Sequence, residues 1–291
     1  MPIYDQTYRA YDGVALPRSR WWVMVQQEIR VLFKIRVFVV LLILGYLNFV
    51  LRLMQVVTFD TLASNPNNPV TVAFRNISML AVNATMFFDF LRMQGPILFL
   101  VMILAGAGMI CDDFRNNLTE IYFSKPLSWR GYVAGKVMTL LFLGLALTAV
   151  PGLLLVVLHN LLAPGLKTMQ DTWWVVPSIV AFSFLLVVPC ALGVLASSAM
   201  FRSQVMAGIT IFMVLFADMA VGNILPELLH KPNYRVLAFP LAVNRVGEYL
   251  FKSRRLLFEL PWGWSLLYVA AASAVMLWIV CRKARRAEVA A

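Results

Sequence analysis

Charged side chains are scarce in this chain. Its 291 residues include 25 Lys and Arg and 14 Asp and Glu, so that 13% are charged, whereas 61% are apolar and the mean hydropathy is +0.79. Soluble domains are about 45–50% apolar, and a folded surface needs polar groups that this sequence does not supply. The composition excludes a water-soluble fold and predicts an all-α protein whose solvent is the lipid bilayer.

Cysteine and histidine are also few. Cys111, Cys190 and Cys281 lie at or inside apolar runs without Cys-x-x-Cys spacing, which argues against a disulfide framework or a zinc site. His159 and His230 have no metal-type partner three or four residues away. We identify no catalytic, cofactor-binding or metal-binding motif in the sequence, and we therefore expect that the chain is not an enzyme.

A nucleotide-binding loop is missing as well. The segment Gly131-Tyr-Val-Ala-Gly-Lys-Val137 superficially resembles a phosphate loop. Its glycines stand one residue too close together, and Val137 occupies the position where a magnesium-binding Ser or Thr is required. We therefore expect no ATP hydrolysis by this chain.

Six apolar windows are long enough to cross about 30 Å of hydrocarbon as helices. They cover residues 37–57, 93–111, 137–158, 173–199, 203–225 and 261–281. This pattern divides the chain into a leader at 1–36 and a six-span domain at 37–291. The long loop 226–260 contains an amphipathic stretch at 240–251, which predicts one or two short helices at the outer interface.

The basic residues predict the orientation of the spans. An even number of spans places both termini on one side, and the basic clusters at 30–36 and 282–286 flank the first and last spans. The positive-inside rule therefore places both termini in the cytoplasm, although the outer loop 226–260 is also basic. No cleavable signal is apparent before the first span, so we expect that span to be retained.

The net charge of +11 does not by itself indicate a nucleic-acid partner. Basic residues are spread over loops and span ends, and they do not form one stripe with interleaved aromatics. Membrane topology explains the charge, and we expect no binding to nucleic acid.

The segment before the first span has the pattern of an interfacial helix. Apolar side chains recur at helical spacing, while Gln26, Arg30 and Lys34 form a polar strip at i, i+4 intervals. Trp21 and Trp22 at its start are typical of the headgroup layer. The pattern predicts an amphipathic helix that either anchors the first span or also contacts a cytoplasmic partner.

The loop 111–136 is longer than a connection requires and has its own amphipathic period. Phe114, Leu118, Ile121 and Tyr122 recur at positions that share one face of a helix. The pattern predicts a short helix that lies parallel to the membrane. Its polar side would present Arg115, Asn116, Thr119 and Glu120. This surface suits docking to a soluble protein; a solvated connecting loop is the alternative.

Asp218 is the only acidic residue deep inside a predicted span. An ionisable group at such a depth is a candidate intramembrane functional residue, for example in a proton or substrate pathway. The alternative is a carboxyl that is protonated, or paired with a neighbour such as Asn223 or Arg52.

The loop 111–136 contains a sequence motif that resembles one found in a known protein family. Its sequence includes Asp112-Asp113-Phe-Arg115, Asn117-Leu118-Thr119-Glu120, Pro126-x-Ser128 and Gly135-Lys136. It is similar to the loop after the second span of bacterial ABC-2 type transporter permeases, with Asn117-Leu118-Thr119 in place of the usual Gly-Thr step. The N-terminal Tyr4-Asp5-Gln6-Thr7-Tyr8 and Arg20-Trp21-Trp22 also look like the leader of some such permeases.

The resemblance implies an elbow helix, six spans, a cytoplasmic coupling helix at about 113–123 and short re-entrant outer helices. It also implies a dimer with a second copy or a paralogue in the bacterial inner membrane. Two cytoplasmic ATPase subunits would bind ATP and magnesium, and they would contact the coupling helix and the elbow helix. By resemblance, the coupling interface consists of Asp113, Arg115, Asn116, Thr119, Glu120, Lys125 and Arg130.

Three functions remain open from the sequence. The leading hypothesis is the permease subunit of an ABC exporter. The second is a non-transporting module of the same type, which would use ATP to act mechanically on a periplasmic or other envelope partner. The third is a membrane-embedded lipid-modifying enzyme, which would need a polar catalytic cluster that we do not find in the sequence.

Overall fold

The computed structural model describes residues 20–63, 81–124, 127–162, 172–230, 232–253 and 261–290. Within these ranges the chain forms helices and short connections, with no strand. The helices are α1 Arg20–Leu32, α2 Arg36–Ala63, α3 Ala84–Gly106, α4 Cys111–Arg115, α5 Leu118–Ser124, α6 Trp129–Leu147, α7 Ala149–Leu162, α8 Val175–Met200, α9 Gln204–Leu228, α10 Phe239–Leu250 and α11 Trp262–Ala290. A 3₁₀ helix, Pro232–Leu237, precedes α10.

The six predicted spans are confirmed as helices that are long and apolar enough to cross a membrane. They cover Arg36–Thr61, Ala84–Arg115, Trp129–Leu162, Val175–Met200, Gln204–Leu228 and Trp262–Val289. The helices extend beyond the apolar windows because backbone hydrogen bonding continues into the polar residues at the boundaries.

The second, third and fourth spans form the centre of the bundle. In these spans 56%, 56% and 61% of the most apolar window is buried, against 11%, 11% and 17% in the first, fifth and sixth. The helices α2, α9 and α11 therefore expose long apolar faces. Such faces are expected of spans that contact lipid or another apolar surface.

Two apolar clusters fill the interior. One contains Met24, Leu98, Leu140 and Val194, and it lies at the end of the bundle that carries α1, which we call the α1 end. The other contains Phe88, Leu155, Phe182 and Val243, and it lies at the opposite end. Both ends of the bundle are therefore packed by the same central helices.

The third span is interrupted between α6 and α7 at Thr148. Pro151 follows three residues later and has no N–H to donate to the carbonyl of Leu147, so the regular hydrogen-bond ladder cannot continue there. The hydroxyl of Thr148 donates to the carbonyl oxygen of Gly144 at 2.8 Å. The span therefore continues across the break as two consecutive helical segments.

The two interfacial segments differ from their predicted extents. The helix expected over 113–123 is two short helices, α4 and α5, because Asn117 adopts a left-handed φ of 54° between them. Asparagine tolerates this conformation better than most residues. Ile121, which we expected on the apolar face, is 55% exposed. The elbow helix α1 ends at Leu32, and the chain turns before α2 begins.

Helix α10 packs tightly at the opposite end. A Cβ added to Gly247 would lie 2.3 Å from the Phe88 ring and 2.5 Å from the Phe182 ring. Phe251, directly after α10, packs against both of these rings. The predicted short helix in the loop 226–260 is therefore present and closes this end of the bundle; residues 254–260 lie outside the described ranges.

Candidate functional site

Lys136 is a fully buried lysine inside the third span. Its Nζ lies 2.7 Å from Asp113 Oδ2 and 2.5 Å from Glu28 Oε1. Removing an ammonium group from water costs several kcal/mol unless nearby opposite charges compensate. The two carboxylates therefore stabilise Lys136 in its charged form.

Tyr132 completes this cluster from one turn earlier on α6. Its hydroxyl donates to Asp113 Oδ2 at 2.8 Å, and Lys136 Nζ lies 5.5 Å from the centroid of its ring. The rings of Tyr122 and Phe123 on α5 lie 6.0 and 5.9 Å from the Tyr132 ring. Helix α4 is thus joined to the third span by an ion pair, and α5 is joined to it by aromatic packing.

Gly135 explains how the elbow helix reaches the same place. A Cβ at this position would lie 2.9 Å from Met24 Sδ and 3.4 Å from the carbonyl oxygen of Trp21. The absence of a side chain lets α1 lie directly against α6, which brings Glu28 to Lys136. The Gly135–Lys136 pair at the start of the third span therefore has a structural role: Gly135 makes room for α1, and Lys136 contacts Glu28 on that helix.

We call Glu28, Asp113, Tyr132 and Lys136 the junction. These four side chains come from α1, α4 and α6, and Glu28 on α1 is 108 residues from Lys136 in the sequence. The junction contains two carboxylates and one ammonium, so its charge is negative overall. Nearby, burial and then the charge of Asp113 raise the pKa of the Tyr122 hydroxyl, which keeps it protonated at neutral pH.

An exposed polar surface lies next to the junction. Arg115, Asn116 and Glu120 are exposed on α4, the following turn and α5. The Arg115 guanidinium forms an ion pair with Asp112 at 3.1 Å, and the Arg115 side chain remains 58% exposed. Ile121 adds an exposed apolar side chain to the same segment. We call Arg115, Asn116, Glu120 and Ile121 the α4–α5 surface.

The other residues predicted for the coupling interface have different environments. Asp113 and Thr119 are 6% and 8% exposed, so they support the surface from inside. Arg130 is exposed on α6, with its guanidinium 5.4 Å from the centroid of the Trp129 ring. Lys125 lies outside the described residues.

The elbow residues divide between the two faces of α1. Gln26 and Arg30 are exposed on α1, as the predicted polar strip requires, whereas Lys34 is exposed in the turn that follows the end of the helix at Leu32. Trp21 and Trp22 are half-buried, and the Trp22 ring contacts the Phe142 ring of α6 at a centroid distance of 5.5 Å. The opposite face, which contains Met24, Val25 and Leu32, is buried.

Asp218 lies far from the junction, toward the opposite end of α9. Its Oδ2 accepts the backbone N–H of Phe239 at 2.5 Å, and its Oδ1 accepts the hydroxyl of Tyr268 at 3.1 Å. These partners replace the Asn223 and Arg52 that we considered from the sequence. Asp218 therefore satisfies a backbone donor in the first turn of α10, as a helix-capping side chain does.

A buried polar contact lies at the same end of the bundle as Asp218. His159 Nδ1 is 2.8 Å from Asp60 Oδ2, and both side chains are buried between α2 and α7. In the part of the chain that the structure describes, no group of three or more His, Cys, Asp or Glu side chains could hold a metal ion.

Reasoning from the sequence missed Glu28, Tyr132 and Lys136 as site residues. Lys136 directly precedes the apolar window that begins at Val137, so the window alone does not mark it as buried. A signal was nevertheless present, because Lys136 falls within one continuous helical period with Tyr132 and the apolar residues that follow. A lysine in such a position needs a carboxylate partner from another element.

Comparison with known proteins adds no relative. No family model and no curated protein matches this chain.

Proposed function

We propose that this chain is the membrane-spanning permease subunit of an ABC exporter that is driven by two copies of a separate ATPase. The single observation that carries the proposal is the junction, in which a buried lysine of the third span is paired with the elbow helix and with α4. A subunit without its own nucleotide site needs a rigid connection between an exposed docking surface and its spans. The junction supplies such a connection.

In this proposal the ATPase contacts the α4–α5 surface. A displacement of α4 and α5 would pass through Asp113 to Lys136 and so to α6, because a buried ion pair resists separation of its two charges. Glu28 would carry the same displacement to α1. The switch is then a rigid-body shift of packed helices, which is a common form of conformational change in proteins.

Complex formation tests this function. We would co-express the full chain with the ABC ATPases of its host, one at a time, and measure the mass of the purified complex and its ATP hydrolysis. The expected result is a complex of two permease and two ATPase chains. Failure of all of these ATPases to bind would contradict the proposal.

Charge reversal locates the contact within that complex. Arg115→Glu combined with Glu120→Lys should weaken ATPase association at least tenfold, because both side chains are exposed next to the junction. Glu227→Lys serves as the control. It reverses an exposed charge near the end of α9, at the end of the bundle opposite to the α4–α5 surface. Transport of a solute by the intact complex separates an exporter from a mechanical module that moves nothing.

A further inference from the structure

An open cavity lies between the start of α6 and the last turns of α11. Its volume is about 510 Å³. Its walls are formed by two tryptophans, three arginines and two smaller side chains, namely Trp129, Trp278, Cys281, Arg282, Arg285, Arg286 and Val289. None of these residues belongs to the junction or to the α4–α5 surface, so the cavity is a separate feature.

The cavity lies where α11 changes from apolar to basic. Residues 262–281 contain no charged side chain, and the basic cluster begins at Arg282. Trp278 is 57% exposed one turn before Arg282. Tryptophan prefers the level of the lipid headgroups, and basic side chains lie just beyond it. The cavity is therefore positioned at the boundary between hydrocarbon and water.

The arginines of the cavity present an unneutralised positive charge. In the described ranges, none of the three guanidinium groups forms an ion pair with a carboxylate, and all three side chains are exposed. The Arg282 guanidinium lies 5.0 Å from the centroid of the Trp278 ring, which orients it by a cation–π contact. The nearest acid on the helix, Glu288, already accepts the backbone N–H of Trp129 at 3.2 Å.

We propose that this cavity binds the headgroup of an anionic phospholipid. The phosphate would accept hydrogen bonds from Arg282, Arg285 and Arg286, because guanidinium groups match phosphate oxygens in geometry and charge. The acyl chains would extend along the exposed apolar face of α11 that begins at Trp278. Basic pockets between membrane helices are known to favour such lipids.

A lipid is the ligand that fits best, because the cavity has a basic part for a phosphate headgroup and an apolar part for acyl chains. A free phosphate would use only the arginines and gain nothing from Trp278 or from the apolar face beyond it. An acidic protein surface would approach from water, whereas Trp278 in the wall of the cavity belongs to the apolar, largely exposed span of α11.

Lipid binding by the purified full chain tests the proposal. We would place the protein in a neutral detergent and add phosphatidylglycerol or phosphatidylcholine of equal chain length, with bound lipid counted by native mass spectrometry. Phosphatidylglycerol should bind at least tenfold more tightly than phosphatidylcholine. Equal binding of the two lipids would overturn the proposal, and so would displacement of phosphatidylglycerol by inorganic phosphate at equal concentration.

A pair of double variants assigns the site. Arg285→Gln with Arg286→Gln should weaken phosphatidylglycerol binding about tenfold, a loss of about 1.4 kcal/mol, and leaves the contact of Arg282 with Trp278 in place. Arg202→Gln with Arg235→Gln removes two exposed positive charges elsewhere and should leave binding unchanged. Equal loss in both variants would show that net charge alone attracts the lipid, which contradicts a defined site.

Discussion

Lys136 Nζ and Asp113 Oδ2 lie 2.7 Å apart, and both residues are buried. The two residues belong to different helices, α6 and α4, and Asp113 also accepts the hydroxyl of Tyr132. This arrangement joins the end of the second span, which leads into the α4–α5 surface, to the third span.

The ion pair predicts strong coupling between Lys136 and Asp113. Lys136→Met leaves the buried carboxylate of Asp113 and the half-buried carboxylate of Glu28 without their cation, and it should destabilise the protein by about 3–5 kcal/mol. Asp113→Asn should cost much less in the Lys136→Met background than in the wild type. Thermal unfolding of the four proteins in detergent measures this coupling. Additive effects of the two substitutions would contradict a direct ion pair.

Two glycines provide a matched test of the packing of α10. A Cβ at Gly222 would lie 2.8 Å from the backbone nitrogen of Ala238, so Gly222→Ala must displace the chain that leads into α10. We expect a loss of about 1–3 kcal/mol. Gly263→Ala adds a Cβ in open space within α11 and should be neutral or stabilising by up to about 1 kcal/mol. Melting temperatures of the two variants in the same detergent measure the difference, and equal effects would refute the close approach.

Asp218 should act mainly as a structural acceptor. Asp218→Ala removes the acceptor for the Phe239 N–H, and we expect a loss of about 0.5–2 kcal/mol, as for other helix caps. Tyr268→Phe removes only the second partner and should cost less. Thermal unfolding measures both variants. If Asp218→Asn lost solute transport without any change in melting temperature, the result would instead support a role in a proton or substrate pathway.

The orientation of the bundle gives a further prediction. Glu120 and Glu227 are exposed at opposite ends, so cysteines placed there should react from opposite sides of the membrane. We expect Glu120→Cys to react with a membrane-impermeant maleimide only in permeabilised cells, and Glu227→Cys to react in intact cells. A background with Cys190→Ala and Cys281→Ala leaves only the buried Cys111. The reverse pattern would place the α4–α5 surface outside the cell.

The sequence was sufficient to predict the six spans, because a helix in lipid needs about 20 apolar residues and each window supplies them. It also predicted the exposed polar side of α1, since Gln26 and Arg30 are one helical turn apart; Lys34, the third residue of the predicted strip, lies beyond the end of α1. Both features depend on residues that are close together in the chain.

The junction could not be predicted in the same way. The packing of three helices brings together Glu28, Asp113 and Lys136. No local pattern in the sequence indicates these contacts. The break at Asn117 was also missed, because the apolar spacing of Phe114, Leu118 and Tyr122 continues across it. The partners of Asp218 depend likewise on the distant position of Phe239.

Photo-crosslinking at position 120 tests the central claim most directly. Glu120 is replaced by the photoreactive amino acid p-benzoylphenylalanine in cells that also produce the ABC ATPase proposed as the partner, and the same replacement at Glu227 serves as the control. Our account predicts a crosslink between position 120 and the ATPase, and none from position 227. Absence of the crosslink at 120, in a complex that still assembles, would contradict the assignment of the α4–α5 surface as the site that receives force from ATP hydrolysis.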